Sequence, residues 1–327
     1  MSPRQKLLLL LASARVANLP SVVSNVWLGV ALGYPQWHLW QTSEVGSPWL
    51  PAASLALAAM LLYIGGNFLN DWHDRHWDAC HRPERALPQG AFAPGLYLGL
   101  ASCCGLAGVA VAGCTSLRSG TVAALIAGCI LLYTRHHKQR AWSVLMMGSC
   151  RALLPLLFFI EWPLGGLSAA TAPATPEYVR SALLTIAAAA LALGLFIAAL
   201  SLLARGEATR PPAAGNALLA PGLMVLSGLL MALALVCMLH GPLWLALLGL
   251  PFFLWLARCF TAHRHPPSRQ ISALLAGLPL LDWVALLPLA LVMLSQVRVD
   301  AFALTCLLLP PLAFVAGRLL QRLAAAT

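Results

Sequence analysis

Charge is what this chain has least of. Charged residues make up 9% of its 327 positions, against ~25% in soluble proteins, and only 10 are acidic. A pair of soluble domains, which the length would allow, is excluded by that poverty and by a mean hydropathy of +0.82. The nine cysteines include no C-x-x-C pair, and most lie in apolar segments where Cys packs as a small hydrophobe. Neither a zinc site nor a disulfide framework is supported. Linkers and low-complexity tails are also missing. The +10 formal charge does not form a basic stripe, because the arginines fall at the ends of apolar runs, so no nucleic-acid partner is expected.

What is present is a near-continuous series of apolar runs, each about 17–25 residues long, the length that crosses a bilayer. Their Leu- and Ala-rich continuity excludes the alternating pattern of a barrel, which leaves helices as the spanning elements. The expected fold is an all-α polytopic membrane protein, a single domain over residues 1–327. Spans are expected near 17–34, 51–69, 94–113, 119–134, 141–161, 180–204, 217–239, 242–261, 271–296 and 300–320, ten segments in all. The 217–261 pair reads as a tight hairpin, and 271–296 is interrupted by Pro279 and Pro288. Residues 1–16 resemble a short signal peptide, but Arg15 follows the apolar stretch directly. An uncleaved basic segment on the membrane surface is the preferred reading.

With a cytoplasmic N-terminus, 17 of the 20 basic residues fall on the cytoplasmic side, leaving Arg118, Arg180 and Arg298 outside. That asymmetry sets the orientation. The preference for Arg over Lys, 18 to 2, suggests a GC-rich bacterial genome, hence a bacterial inner membrane. The Pro/Thr/Ala-rich stretch 163–177 becomes an external loop.

Four of the ten acidic residues crowd into one cytoplasmic stretch, NFLNDWHDRHWDACHRPERALPQG, residues 67–90. If the second span continues as helix, a turn of about 100° per residue sets Asn67, Asp74 and Asp78 within about 60° of Asp71. Asn70 lies at the edge of that face. Three carboxylates so close repel one another, and a divalent cation resolves the conflict. Oxygen-only ligands select a hard ion such as Mg²⁺, which keeps positions open for phosphate oxygens. Arg82 and Arg85 follow, with donors suited to phosphate. An anionic head above an apolar cavity describes a prenyl diphosphate.

Asn70-Asp71-x-x-Asp74-x-x-x-Asp78 followed by Arg82-Pro-x-Arg85-x-Leu-Pro-x-Gly90 resembles the first aspartate-rich motif of the UbiA superfamily of intramembrane prenyltransferases. The resemblance implies a bundle of about nine helices with motif loops after the second, fourth and sixth. It implies catalysis by Asp71, Asp74 and Asp78, with Mg²⁺ on these and Asn67. The segment from Tyr133 to Lys138 is similar to the family's tyrosine-to-lysine loop, which makes both substrate-binding candidates beside Asn67, Asn70, Arg82 and Arg85. The family's second acidic motif is eroded: Arg205-Gly206-Glu207 stands where Glu-Gly-Asp is usual. The ligand count for two metals is not met, and Arg205, with Arg210, is expected to neutralise diphosphate instead. This altered form is similar to the EboC-like branch, which implies a cyclitol- or sugar-type acceptor beside the aromatic quinone precursors of other members.

Arg151, near the start of the fifth span, is either a head-group contact or a snorkelling cation. Asp282, mid-membrane, is expected to face the bundle interior. His73, His76 and His81 adjoin the acidic face and are either surface residues or proton acceptors. Two alternatives stand beside prenyl transfer. One is a CDP-alcohol phosphotransferase, although its D-G-x-x-A-R lead-in is absent. The other is a prenyl-lipid binding or transport protein without catalysis.

Overall fold

The computed structural model describes residues 1–39, 48–138, 140–160, 176–207, 218–296 and 301–323, and among them every regular element is helical. A short helix α1 (Pro3–Ser13) is started by a capping box in which Ser2 accepts from the Gln5 amide and Gln5 answers the Ser2 amide. After Arg15 and a 3-10 turn, Val16–Asn18, α2 (Leu19–Leu39) runs through the centre of the bundle. Val22, Leu28, Val30 and Ala31 on it are fully buried. Then come α3 (Trp49–His81), α4 (Pro94–Thr115) and α5 (Leu117–His136). Ser116 caps α5 by accepting from the Ser119 amide.

Two short helices follow, α6 (Ser143–Ala152) and α7 (Leu156–Phe159). The single span expected over 141–161 is therefore interrupted. Pro155 has no N–H to continue the ladder, and its carbonyl turns against α2. A Cβ added at Gly29 would lie 1.8 Å from that Pro155 oxygen, so only glycine fits the crossing. A second close approach joins α6 to α8 (Pro176–Glu207), where a Cβ on Gly148 would meet the Gly194 carbonyl at 2.6 Å. Small residues at helix crossings are the usual device of membrane bundles.

The hairpin follows as α9 (Leu219–Leu239), a left-handed His240, a 3-10 stretch (Leu243–Gly249) and α10 (Leu250–Thr261). The chain then forms α11 (Pro267–Ala276), α12 (Leu278–Gln296) and α13 (Ala301–Leu320). The break in the expected 271–296 span falls at Gly277, while Pro288 is carried inside α12. Among the described residues nine segments are long and apolar enough to cross a membrane, one fewer than the ten expected. The missing one is the interrupted α6–α7 region.

Many large apolar side chains point outward, among them Leu117 (85% exposed) and Leu106 (73%). In water this would be a liability; on membrane-spanning helices it is the lipid-facing surface. The chain is an integral membrane protein.

Candidate functional site

Among the described residues α3, at 33, is the longest helix, and its C-terminal third carries the acidic motif. Helical continuity to His81 puts Asn67, Asp71, Asp74 and Asp78 on one inward face, all of them buried, while His73, His76 and Trp77 point outward. Each carboxylate meets a cation. Arg85, returning from the loop after α3, donates through Nη1 to Asp78 Oδ2 at 2.8 Å and to Asp71 Oδ1 at 3.4 Å. Lys138 Nζ sits 2.9 Å from Asp74 Oδ1 and 4.2 Å from the Trp77 ring centroid. His137 Nε2 lies 3.1 Å from Asp74 Oδ2.

A further cation at this face was not identified from sequence. Arg15 adopts a left-handed backbone (φ 48°, ψ 47°), uncommon for a residue with a side chain. That turn aims its guanidinium at the acidic face. Nη1 donates to Asn67 Oδ1 at 2.7 Å and Nη2 stands 3.7 Å from Asp71 Oδ1. Asn67 returns a bond from Nδ2 to the Ala14 carbonyl, and the Tyr97 hydroxyl bonds Ser13 Oγ. The segment between α1 and α2 is thus bound to the motif. His137 was likewise missed, although it lies within the Tyr133–Lys138 segment; its ring stacks on Tyr133 with centroids 5.0 Å apart.

The other sequence candidates lie at the edge of this cluster or apart from it. Arg82 ends α3, its amide bonded to the Asp78 carbonyl. Asn70 Nδ2 reaches Asp74 Oδ2 only at 3.5 Å. Arg205 donates to the Arg140 carbonyl (3.0 Å) and Ser143 Oγ (3.1 Å), clasping the loop before α6. The Glu207 side chain, Arg210 and residues 163–175 of the expected external loop lie outside the described residues, while 176–177 already belong to α8. His73 Nδ1 stands 3.4 Å from Asp74 Oδ1, and His81 stacks on Trp77.

Arg151 and Asp282 meet deeper in the bundle, through Asn25 of α2. Arg151 Nη1 donates to Asn25 Oδ1 at 2.8 Å, and Asn25 Nδ2 donates to both Asp282 oxygens at 3.0 and 2.9 Å. Ser24 also donates to Asp282, and the Arg151 guanidinium lies 5.4 Å from the Tyr63 ring centroid. Asp282 is an interior residue, as its membrane cost requires.

Among the described residues no three His, Cys, Asp or Glu side chains converge closely enough to form a metal cluster as they stand. The donor chemistry nonetheless suits a hard cation. Three buried oxygens around the motif, Asn70 Oδ1, Asp78 Oδ1 and Thr134 Oγ1, have no hydrogen-bond partner. Buried oxygens without partners require an explanation, and a Mg²⁺ ion with its waters supplies one.

A helical membrane protein with a buried, cation-ringed carboxylate face at one end of its bundle is the class that fold and site define. Comparison narrows it. The model of the UbiA prenyltransferase family matches residues 22–277, and the chain belongs to that family. The phosphotransferase alternative falls away with that assignment. Digeranylgeranylglyceryl phosphate synthase from Halobacterium salinarum is 33% identical over 96 residues, 29% of this chain and 34% of that protein. The enzyme of the same name from Methanothrix thermoacetophila is 32% identical over 81 residues, 25% of this chain and 30% of that one. The chain thus matches about a third of the length of these curated relatives. A solved structure concerning digeranylgeranylglyceryl phosphate synthase superimposes with TM-score 0.50 at 15% identity, covering 93% of this chain and 99% of the other. At that identity the likeness is one of fold.

Proposed function

We propose that the chain, as one membrane domain, transfers a prenyl group from its diphosphate to a small acceptor and releases pyrophosphate. The observation that carries this reading is the burial of Asn67, Asp71, Asp74 and Asp78 on one face of α3, in a member of the UbiA prenyltransferase family. These four residues would hold Mg²⁺. The ion would supply positive charge to stabilise a leaving pyrophosphate.

Arg85 and Lys138, already at the acidic face, offer charged donors to diphosphate oxygens. Arg82 lies one turn from Arg85 and adds a third. Tyr133 and His137 form a stacked wall beside Asp74. His137 joins Asp74 Oδ2 to the Thr134 carbonyl and so fixes this wall against the acidic face. The apolar bundle holds the tail and excludes water, which would otherwise capture an allylic cation. The relatives named digeranylgeranylglyceryl phosphate synthase favour a polar, phosphate-bearing acceptor over an aromatic one. The reading places the acidic end in the cytoplasm of a bacterial cell.

A second reading, prenyl-lipid binding without turnover, draws on the cations that already neutralise all three carboxylates. Mg²⁺-dependent pyrophosphate release from a panel of prenyl diphosphates separates the two. Turnover that disappears in Asp71→Ala and Asp74→Ala is expected. Full prenyl transfer by either variant refutes the assignment of the site, and binding without pyrophosphate release by the wild type favours the second reading.

A further inference from the structure

Trp77 meets the acidic cluster from outside it. The residue stands on the outer flank of α3, beside Asp78 in sequence, and is 36% exposed. Its indole nevertheless has a neighbour on each face. Lys138 Nζ is 4.2 Å from the ring centroid. The His81 ring lies 4.1 Å from it and only 5° from parallel. Two groups so near one centroid cannot share a face, so the indole is held between them. His81 is itself fixed, because its Nδ1 donates to the Trp77 carbonyl at 2.9 Å.

Lys138 is shared between this ring and the motif. Its ammonium stands 2.9 Å from Asp74 Oδ1 while His137 Nε2 lies 3.1 Å from Oδ2, so both oxygens of Asp74 are engaged. A hard cation on the carboxylate face needs at least one of them. Lys138 is half-buried, with a side chain 30% exposed, and its flexible stem would carry a released ammonium into water. Trp77 is the contact that remains. An aromatic face attracts a cation through its quadrupole and leaves the three N–H donors of the ammonium free for another acceptor. A second carboxylate in that place would instead compete with phosphate for those donors.

We propose that Trp77 is a positioning residue for diphosphate: its indole keeps the Lys138 ammonium at the mouth of the acidic face once Asp74 is given over to a divalent cation. This role rests on the prenyl diphosphate reading of the acidic face. It adds a residue that belongs neither to the carboxylate set nor to the Tyr133–Lys138 segment. Tryptophan near a membrane surface is also a common interfacial anchor. An anchor acts whether or not Lys138 is present, whereas a positioning residue acts only through it.

The test uses the full chain in neutral detergent and inorganic pyrophosphate as the probe, titrated by calorimetry in saturating Mg²⁺. Trp77→Leu removes the aromatic face and should weaken pyrophosphate binding about two- to fivefold, the strength of an exposed cation–π contact. Trp77→Phe keeps an aromatic face and should stay within about twofold of wild type. In a Lys138→Met background the Trp77→Leu loss should vanish. Equal binding by wild type and Trp77→Leu overturns the proposal alone, as does a loss that Trp77→Phe shares in full or that persists without Lys138. Absence of pyrophosphate binding by wild type removes the diphosphate reading of the acidic face, and the role of Trp77 with it. If Trp77→Leu does not fold, Trp77→Gln, polar at this exposed position, takes its place with the same expected loss.

Discussion

Replacing Arg85 with methionine would separate the two roles of the acidic face, because Arg85 is the only cation that touches Asp78 among the described contacts. Its Nη1 lies 2.8 Å from Asp78 Oδ2 and 3.4 Å from Asp71 Oδ1. The Asp78 side chain is 2% exposed, and its Oδ1 has no partner. Methionine keeps much of the volume and removes every donor, leaving Asp78 buried and unpaired. Removing one partner from a fully buried pair costs about 3–5 kcal/mol. The Arg85 side chain is 18% exposed, so solvent relieves part of that cost, and about 2–3 kcal/mol is expected. In chelator, Arg85→Met should therefore be destabilised by roughly a hundredfold in its unfolding equilibrium. Added Mg²⁺ should restore most of the loss, because the vacated oxygens then bind the ion in place of the guanidinium. Wild type, with its internal cation in place, should respond less. The assay is denaturant unfolding in detergent, followed by Trp fluorescence, with chelator and with Mg²⁺. A variant as stable as wild type in chelator refutes the ion-pair energetics. A deficit that Mg²⁺ leaves untouched refutes the metal reading of the carboxylates.

Two further outcomes are expected. Asn25→Ala removes the bridge between Arg151 and Asp282 and should cost about 2–3 kcal/mol, well above the ~0.6 typical of neutral interhelical bonds in membranes. In a double-mutant cycle with Asp282→Ala the two losses should fall short of additive by about 1 kcal/mol or more, and strict additivity would deny the coupling. His263 gives a pH signature. Burial and the charges of Arg318, Arg269 and Arg258 lower its pKa in the folded chain below the ordinary ~6.5, so the unfolded state binds the proton more readily. Stability should accordingly decline as pH falls through about 6.5 and level off below the folded pKa. His263→Gln should flatten that decline in unfolding curves, and an unchanged slope would remove His263 as its source.

The acidic face was legible in sequence because helical periodicity is a local property. Once α3 continues past the membrane, the spacing of Asn67, Asp71, Asp74 and Asp78 dictates a common side. Asp282 was legible through its cost: a carboxylate in an apolar run has nowhere to go but the interior. Arg15 and His137 were not, for a shared reason. Their roles depend on a left-handed turn before α2 and on the packing of the Tyr133–Lys138 segment against α3. Neither leaves a pattern in spacing, and Arg15 had already been counted as a marker of topology. The interruption at Pro155 was legible in principle, since proline removes a ladder bond, but the expected 141–161 span ran through it because the run stays apolar on both sides. What the sequence does not show is the packing of the Pro155 carbonyl on α2 at Gly29, a contact distant in sequence.

Because the motif and the membrane span share one unbroken helix, they are locked in phase. Thirty-three residues at about 1.5 Å each make α3 a rod of about 50 Å, longer than the ~30 Å of hydrocarbon it crosses. The angle at which the carboxylates face the bundle is thus decided below them, where α3 packs on α4 at Gly65 and Gly108. One residue inserted there would turn the whole acidic face by about 100°, away from Arg15, Arg85 and Lys138, without altering a single carboxylate. The site behaves like a key on a stiff shaft, aimed by contacts it never touches.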